Sequence, residues 1–152
     1  MSIDQCKCNL KIENIDNHKH SSDMENLQKE MKCLALYNPL TNIPNIIYAK
    51  ENLPKIISLV EQSKFAAIVY ININDFKNVN YDLGYKLGDK LIVKIVSIIK
   101  EYIKDEDMLC HVAIDRFAIL VRSVKDELDL AGLVYSLSKS LEKNVTIENS
   151  NI

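Results

Sequence analysis

From residue 65 onward, short apolar runs alternate with longer segments whose apolar residues recur every three or four positions, predicting strands and helices in turn. Residues 65–73 (FAAIVYINI) are continuously apolar and β-prone, the pattern of a strand buried on both faces. Residues 75–84 predict a short helix and turn ending at Gly84. A strong helix follows over 86–103, with Lys86, Lys90 and Lys94 on a solvent face and Leu87, Leu91, Ile95, Ile98 and Tyr102 on a buried one. Residues 108–113 (MLCHVA) and 117–122 (FAILVR) flank Ile114, Asp115 and Arg116 as a β-hairpin. Residues 126–143 read as a helix interrupted only by Gly132, and 144–152 (NVTIENSNI) has strand character.

The pattern before residue 65 is weaker. Residues 1–20 are dominated by Asp, Asn, Lys and His without a period, and read as a mobile leader. Ser22 and Glu25 have capping-box spacing, and Met24, Leu27, Met31 and Leu34 then follow at steps of three, four and three along one helical face. That stripe either packs on its own domain or pairs with another copy. Residues 38–45 (NPLTNIPN) form a turn-rich connection. A helix is expected over 46–62, where Pro54 either kinks it or marks a later start. The order β, αα, ββ, α implies a mixed sheet with helices packed on it, in the α+β or α/β class.

Composition narrows the function. The 152 residues are 47% apolar and 26% charged, with a formal charge of −2, so there is no bulk electrostatic reason to bind nucleic acid or anionic lipid. No run reaches the ~20 apolar residues of a membrane span and the amino terminus lacks a signal-peptide core, so a cytoplasmic location is expected. A chain this long holds a core without disulfides, and Cys6, Cys8, Cys33 and Cys110 read as reduced thiols. Cys6, Cys8, His18 and His20 are zinc-type ligands, but their C-x-C and H-x-H spacings are tighter than those of familiar zinc modules, which favours a tail.

Glycine is scarce, so its placement is informative. Two of the three glycines, Gly84 and Gly88, fall with Asn80 and Asp89 in FKNVNYDLGYKLGDKLI, between the buried strand and the first turn of the strong helix. An Asn amide and an Asp carboxylate together satisfy the O6 acceptor and the N1–H and N2–H donors of guanine. The blander alternative is that Asp89 complements the helix dipole and the glycines only turn the chain.

The ordered spacing of NPLTNIPN at 38–45, ININD-FK at 71–77, N-x-x-x-G-x-x-x-GD at 80–89 and AIDRF at 113–117 resembles the GGDEF domain of diguanylate cyclases. The resemblance implies a palm like that of nucleotide cyclases, α+β, with helices around a central, mostly antiparallel sheet. It also implies GTP as ligand, magnesium, and two domains facing each other to make cyclic di-GMP. Asn80 and Asp89 fall at the two positions that contact the base. Backbone amides at Asp75, Phe76 and Lys77 match the phosphate contacts.

The metal positions depart from the pattern. Asn72 stands where the family has its strand-end aspartate, and Asn74 at the next acidic position; an amide brings no charge to offset that of magnesium. Ala113 and Ile114 replace the hairpin glycines, where a β-branched residue resists positive φ, Asp115 keeps the metal-binding acid, and Arg116 replaces the following glutamate. Asp75 and Asp115 are candidates for a weak metal site, and Arg116 for holding a phosphate directly. The family's inhibitory R-x-x-D corresponds to Lys104 and Asp107, implying weak or absent cyclic di-GMP binding. The resemblance also implies a further strand and a helix with basic phosphate contacts beyond 145–152, so a sheet with an uncovered edge is expected.

Three readings follow. The first is a domain inactive as a cyclase that binds GTP or regulates by dimerisation, within a homodimer or with a fused or partner signalling domain. The second is a slow diguanylate cyclase using Asp75 and Asp115. The third is a purely structural interaction module working through the 24–34 stripe. The expected organisation is a leader over 1–20, a linker or signalling helix over 21–36 and the domain over 37–152.

Overall fold

The strongest amphipathic segment organises the molecule. In the computed structural model, which describes residues 20–60, 64–144, 146–147 and 150–151, it becomes the helix α4 (Tyr85–Tyr102). It follows α1 (His20–Leu36), α2 (Ile46–Ile57), the strand β1 (Phe65–Asn72) and α3 (Phe76–Leu83). After it come β2 (Met108–Ala113), β3 (Arg116–Val124), α5 (Glu127–Asn144) and a short hairpin of β4 (Thr146–Ile147) and β5 (Ser150–Asn151). The main sheet has three strands in the order β1-β3-β2, and both pairings are antiparallel, in line with the expected α+β class. Leu91, Ile92, Ile95, Val96, Ile98 and Ile99 of α4 are buried in one cluster with Phe117, Ile119 and Val121 of β3, Leu109 of β2 and Leu137 of α5. Each such side chain contributes about 1.5–3 kcal/mol by leaving water.

Several elements differ from their expected form. β1 is not buried on both faces. It is an edge strand whose Ala67, Val69 and Ile71 pack on the core while Phe65, Ile68 and Tyr70 are exposed. An unbroken apolar run marks a strand, but the layers that cover it are set by other segments. α1 is already helical at His20, so Ser22 lies inside it and not at its start. Met24, Leu27, Met31 and Leu34 stand in solvent, 55–68% exposed, so the stripe does not pack on its own domain. α2 begins at Ile46 and carries Pro54 within it, so the proline does not mark a later start; the helix stops at Ile57, short of the expected residue 62.

Asparagines organise the connection over 38–45. The Asn38 side-chain oxygen accepts from the amides of Leu40 (3.0 Å) and Thr41 (3.1 Å). Asn45 caps α2 by accepting from the amides of Ile47 (2.9 Å) and Tyr48 (3.1 Å). Among the described residues no helix is long and apolar enough to cross a membrane. Cys33 is disulfide-bonded, where a reduced thiol was expected, whereas Cys110 is free and buried. The candidate zinc ligands Cys6, Cys8 and His18 lie outside the described residues, as does the expected leader over 1–20 except for the backbone of His20, the first residue of α1.

Candidate functional site

The turn between α3 and α4 places Asn80 and Asp89, the two residues expected to contact a base, on one wall. Asn80 is on α3, and Asp89 is the fifth residue of α4, one position past the first turn in which it was expected. No acidic residue occupies that first turn, which weakens the dipole explanation for Asp89. Gly84 joins the helices at φ +83°, a conformation that favours glycine. Gly88 serves a different purpose. It is buried beneath Asn80, and a Cβ there would collide with the Asn80 side-chain oxygen and lie 3.3 Å from the Phe76 ring. The Asn80 Oδ1 is itself buried with no hydrogen-bond partner among the described residues. The other end of the amide, Nδ2, carries its two N–H donors.

Asn80 and Asp89 line a cavity of about 500 Å³ together with Leu40 and Asn45–Ile47 from the connection and α2, Phe76, Tyr85, and His111 to Ile114 from the hairpin. Its apolar wall and few convergent polar groups are the usual make-up of a small-molecule site. Tyr85, 79% exposed one helical turn before Asp89, and His111 were not singled out by the sequence reading. The signal for His111 was a lone polar residue inside the apolar run MLCHVA.

The remaining candidates gather at the adjoining end of the sheet. Asn72 pairs with Arg116 across β1 and β3, and the Ile73 amide donates to the Asp115 carbonyl at 2.9 Å. Asp75 caps α3 from the left-handed region (φ 56°) without a side-chain cap bond. The amides of Asp75, Phe76 and Lys77 thus sit where a helix leaves its first N–H groups unpaired. The Asn72 amide donates to Asn74 Oδ1 at 3.3 Å, and the Asp115 carboxylate lies 3.8 Å from the Arg116 guanidinium. Among the described residues no group of three or more His, Cys, Asp or Glu side chains is clustered as metal ligands. The hairpin turn needs no left-handed residue, because positive φ occurs only at Asn42, Asp75 and Gly84 among the described residues. Ile114 therefore fits the turn without the strain expected of it, and its side chain is 75% exposed at the cavity's edge.

Lys104 and Asp107 are elsewhere, beside a second cavity of about 540 Å³ walled by α5. Both Asp107 carboxylate oxygens are engaged, one by the Lys104 amide and one by the Arg122 amide, each at 2.9 Å. The carboxylate ties the loop before β2 to β3. Asp107→Ala is therefore expected to lower stability by about 1–3 kcal/mol through two abandoned amides. A urea melt with an unchanged midpoint would contradict this.

His111 is 5% exposed. Its Nδ1 lies 3.1 Å from the Thr41 hydroxyl and its Nε2 3.4 Å from the Ile114 carbonyl, while its ring stacks at 4.6 Å on Phe117. Burial lowers its pKa from the ordinary histidine value, favouring the neutral ring.

A family model described as "Diguanylate cyclase, GGDEF domain" matches residues 35–152. The chain is 23% identical over 133 residues to the bifunctional diguanylate cyclase/cyclic di-GMP phosphodiesterase MucR of Pseudomonas aeruginosa, covering 87% of this chain and 19% of that protein. It is 30% identical over 96 residues to the probable diguanylate cyclase DgcT of Escherichia coli, covering 63% of this chain and 21% of that protein. It thus spans about a fifth of the length of these curated relatives. In fold it is similar to a diguanylate cyclase/phosphodiesterase from Caldicellulosiruptor saccharolyticus, with a TM-score of 0.71 at 23% identity over 80% of this chain and 72% of that one. It is also similar to the coiled coil and GGDEF domain of DgcB from Caulobacter crescentus, solved with c-di-GMP, with a TM-score of 0.69 at 17% identity over 86% of this chain and 70% of that one.

Proposed function

Because the chain belongs to the GGDEF domain family of cyclic di-GMP signalling, we propose that it is a guanine-nucleotide-binding regulatory domain without useful cyclase turnover. One observation carries the reading: Asn80 and Asp89 share a cavity, while the neighbouring metal positions hold amides and an ion-paired acid. In this reading the Asp89 carboxylate accepts the N1–H and N2–H of guanine and the Asn80 amide donates to O6. The phosphates lie toward the amides of Asp75, Phe76 and Lys77 and toward Arg116, whose guanidinium suits phosphate oxygens. Diguanylate cyclases use magnesium, which coordinates phosphate oxygens and offsets their charge. The residues here do not fit it well. Asn72 and Asn74 contribute neutral amides bonded to each other, and Asp115 is paired with Arg116.

The test is calorimetric titration of the chain with GTP in Mg²⁺ and again in EDTA, with ATP as control. Selective GTP binding that persists in EDTA and is lost in Asp89→Ala is expected. Binding only with Mg²⁺ would instead favour the slow cyclase built on Asp75 and Asp115. No binding in either buffer would leave the structural interaction module.

A second component of the reading rests on the exposed stripe of α1. Its spacing of three, four and three is that of a coiled-coil seam. We propose that α1 is a signalling helix preceding the domain over 37–152, and that it pairs with α1 of a second copy. Leu27→Lys places a charge in the seam and is expected to weaken the dimer at least tenfold by sedimentation equilibrium. An unchanged association constant would remove α1 from the interface.

A further inference from the structure

We propose that His111 is a positioning residue that clamps the tip of the β2–β3 hairpin to the 38–45 connection across the buried wall of the nucleotide cavity. The proposal rests on the cavity being a nucleotide site, but its structural half stands on contacts alone.

Three bonds meet at this residue. Its backbone amide donates to the Pro44 carbonyl at 2.8 Å, joining β2 to the connection. The Ile114 carbonyl can only accept, so the Nε2 facing it across 3.4 Å carries the hydrogen. A neutral ring protonated at Nε2 leaves Nδ1 as an acceptor, and the Thr41 hydroxyl, 3.1 Å from Nδ1 and 3.2 Å from the Asn38 Oδ1, then turns its one hydrogen to the ring and away from Asn38. Thr41 is itself seated by Asn38, whose Oδ1 takes the Thr41 amide at 3.1 Å. The imidazole therefore spans two walls of the cavity, the connection and the hairpin.

What the clamp positions is the residue pair after Ile114. Asp115 and Arg116 follow directly, and the Asp115 carbonyl receives the Ile73 amide at the end of β1. Holding the Ile114 carbonyl thus fixes the place where Arg116 meets the phosphates of a bound nucleotide. Phe117, fully buried and stacked on the same ring, anchors the clamp to the core from below.

Two variants separate the two ring bonds. His111→Gln places an amide N–H near the Nε2 position and retains the bond to Ile114. His111→Asn places an amide oxygen near Nδ1 and retains only the bond from Thr41. Three measurements are made on the full chain: the imidazole tautomer by nitrogen NMR, exchange of the Ile73 amide, and GTP affinity. The wild-type ring is expected to be protonated at Nε2. His111→Asn is expected to speed Ile73 exchange and weaken GTP binding by roughly three- to tenfold, as for one hydrogen bond, while His111→Gln stays within about twofold of wild type.

Equal losses in the two variants, or a wild-type ring protonated at Nδ1, would overturn the clamp. If wild type binds no GTP, the nucleotide reading fails, whereas the tautomer and the Ile73 exchange still decide whether His111 holds the hairpin. Should both variants fail to fold, the wild-type tautomer decides it alone.

Discussion

Incubated with GTP and Mg²⁺, the chain is expected to form no cyclic di-GMP above the level of an Asp115→Ala control. Loss of one acid–base or metal-orienting group costs ~10²–10⁴ in rate, and the proposed reading has more than one such group replaced. Asn72 offers the strand end a neutral amide, held at 3.3 Å by Asn74. Asp115 retains its charge but faces Arg116 at 3.8 Å on an exposed hairpin, where the guanidinium competes with any cation. That exposed pair is worth ~1 kcal/mol at most, so Arg116 need not hold Asp115 permanently. The larger effect is the missing negative charge at Asn72 and Asn74, since magnesium demands a near-ideal oxygen shell. Product that appears with wild type and disappears in Asp115→Ala would establish the slow cyclase and defeat the regulatory reading.

The second large effect is expected at Gly88. In Gly88→Ala the new methyl would meet the Asn80 side-chain oxygen, whose carbon lies 3.0 Å from it, and press on Phe76 at 3.3 Å. Alanine is a better helix former than glycine by about 1 kcal/mol, but overpacking typically costs 1–3 kcal/mol and wins at a buried position. Asn80 must rotate away from α4, taking its amide donor out of line with the base. We therefore expect a lower melting temperature together with at least a tenfold loss of GTP affinity, read by scanning calorimetry and titration. Gly132→Ala is the internal control. Nothing lies within 4 Å of a Cβ there, so the same change on α5 should be neutral or stabilising by up to ~1 kcal/mol. Wild-type GTP affinity in Gly88→Ala would mean that Asn80 does not read the base.

Much of this architecture was legible because local periodicity and burial agree along most of the chain. Lys86, Lys90 and Lys94 mark the solvent face of α4, and the residues opposite them fill the core. The hairpin around Ile114 and Asp115 followed from two short apolar runs with a polar break. Asn80 and Asp89, singled out by their spacing, line one cavity, because Gly84 adopts the positive φ that joins α3 to α4. What failed depends on neighbours distant in sequence. Phe65, Ile68 and Tyr70 look as buried as Val69 and Ile71 until the strand order puts β1 at an edge. The two bonds that Asp107 accepts from the Lys104 and Arg122 amides likewise join segments that no local spacing relates.

By itself, the sequence determined which segments are helix and strand, the family to which they belong, and the residue types able to read guanine. These follow from local spacing, from side-chain chemistry and from where a scarce glycine is placed. Only the tertiary structure decided that Gly88 seats Asn80, that the α1 stripe faces solvent, and that His111 spans Thr41 and Ile114. Each of these is a contact or an exposure created by chain segments arriving from elsewhere, and no local period encodes it.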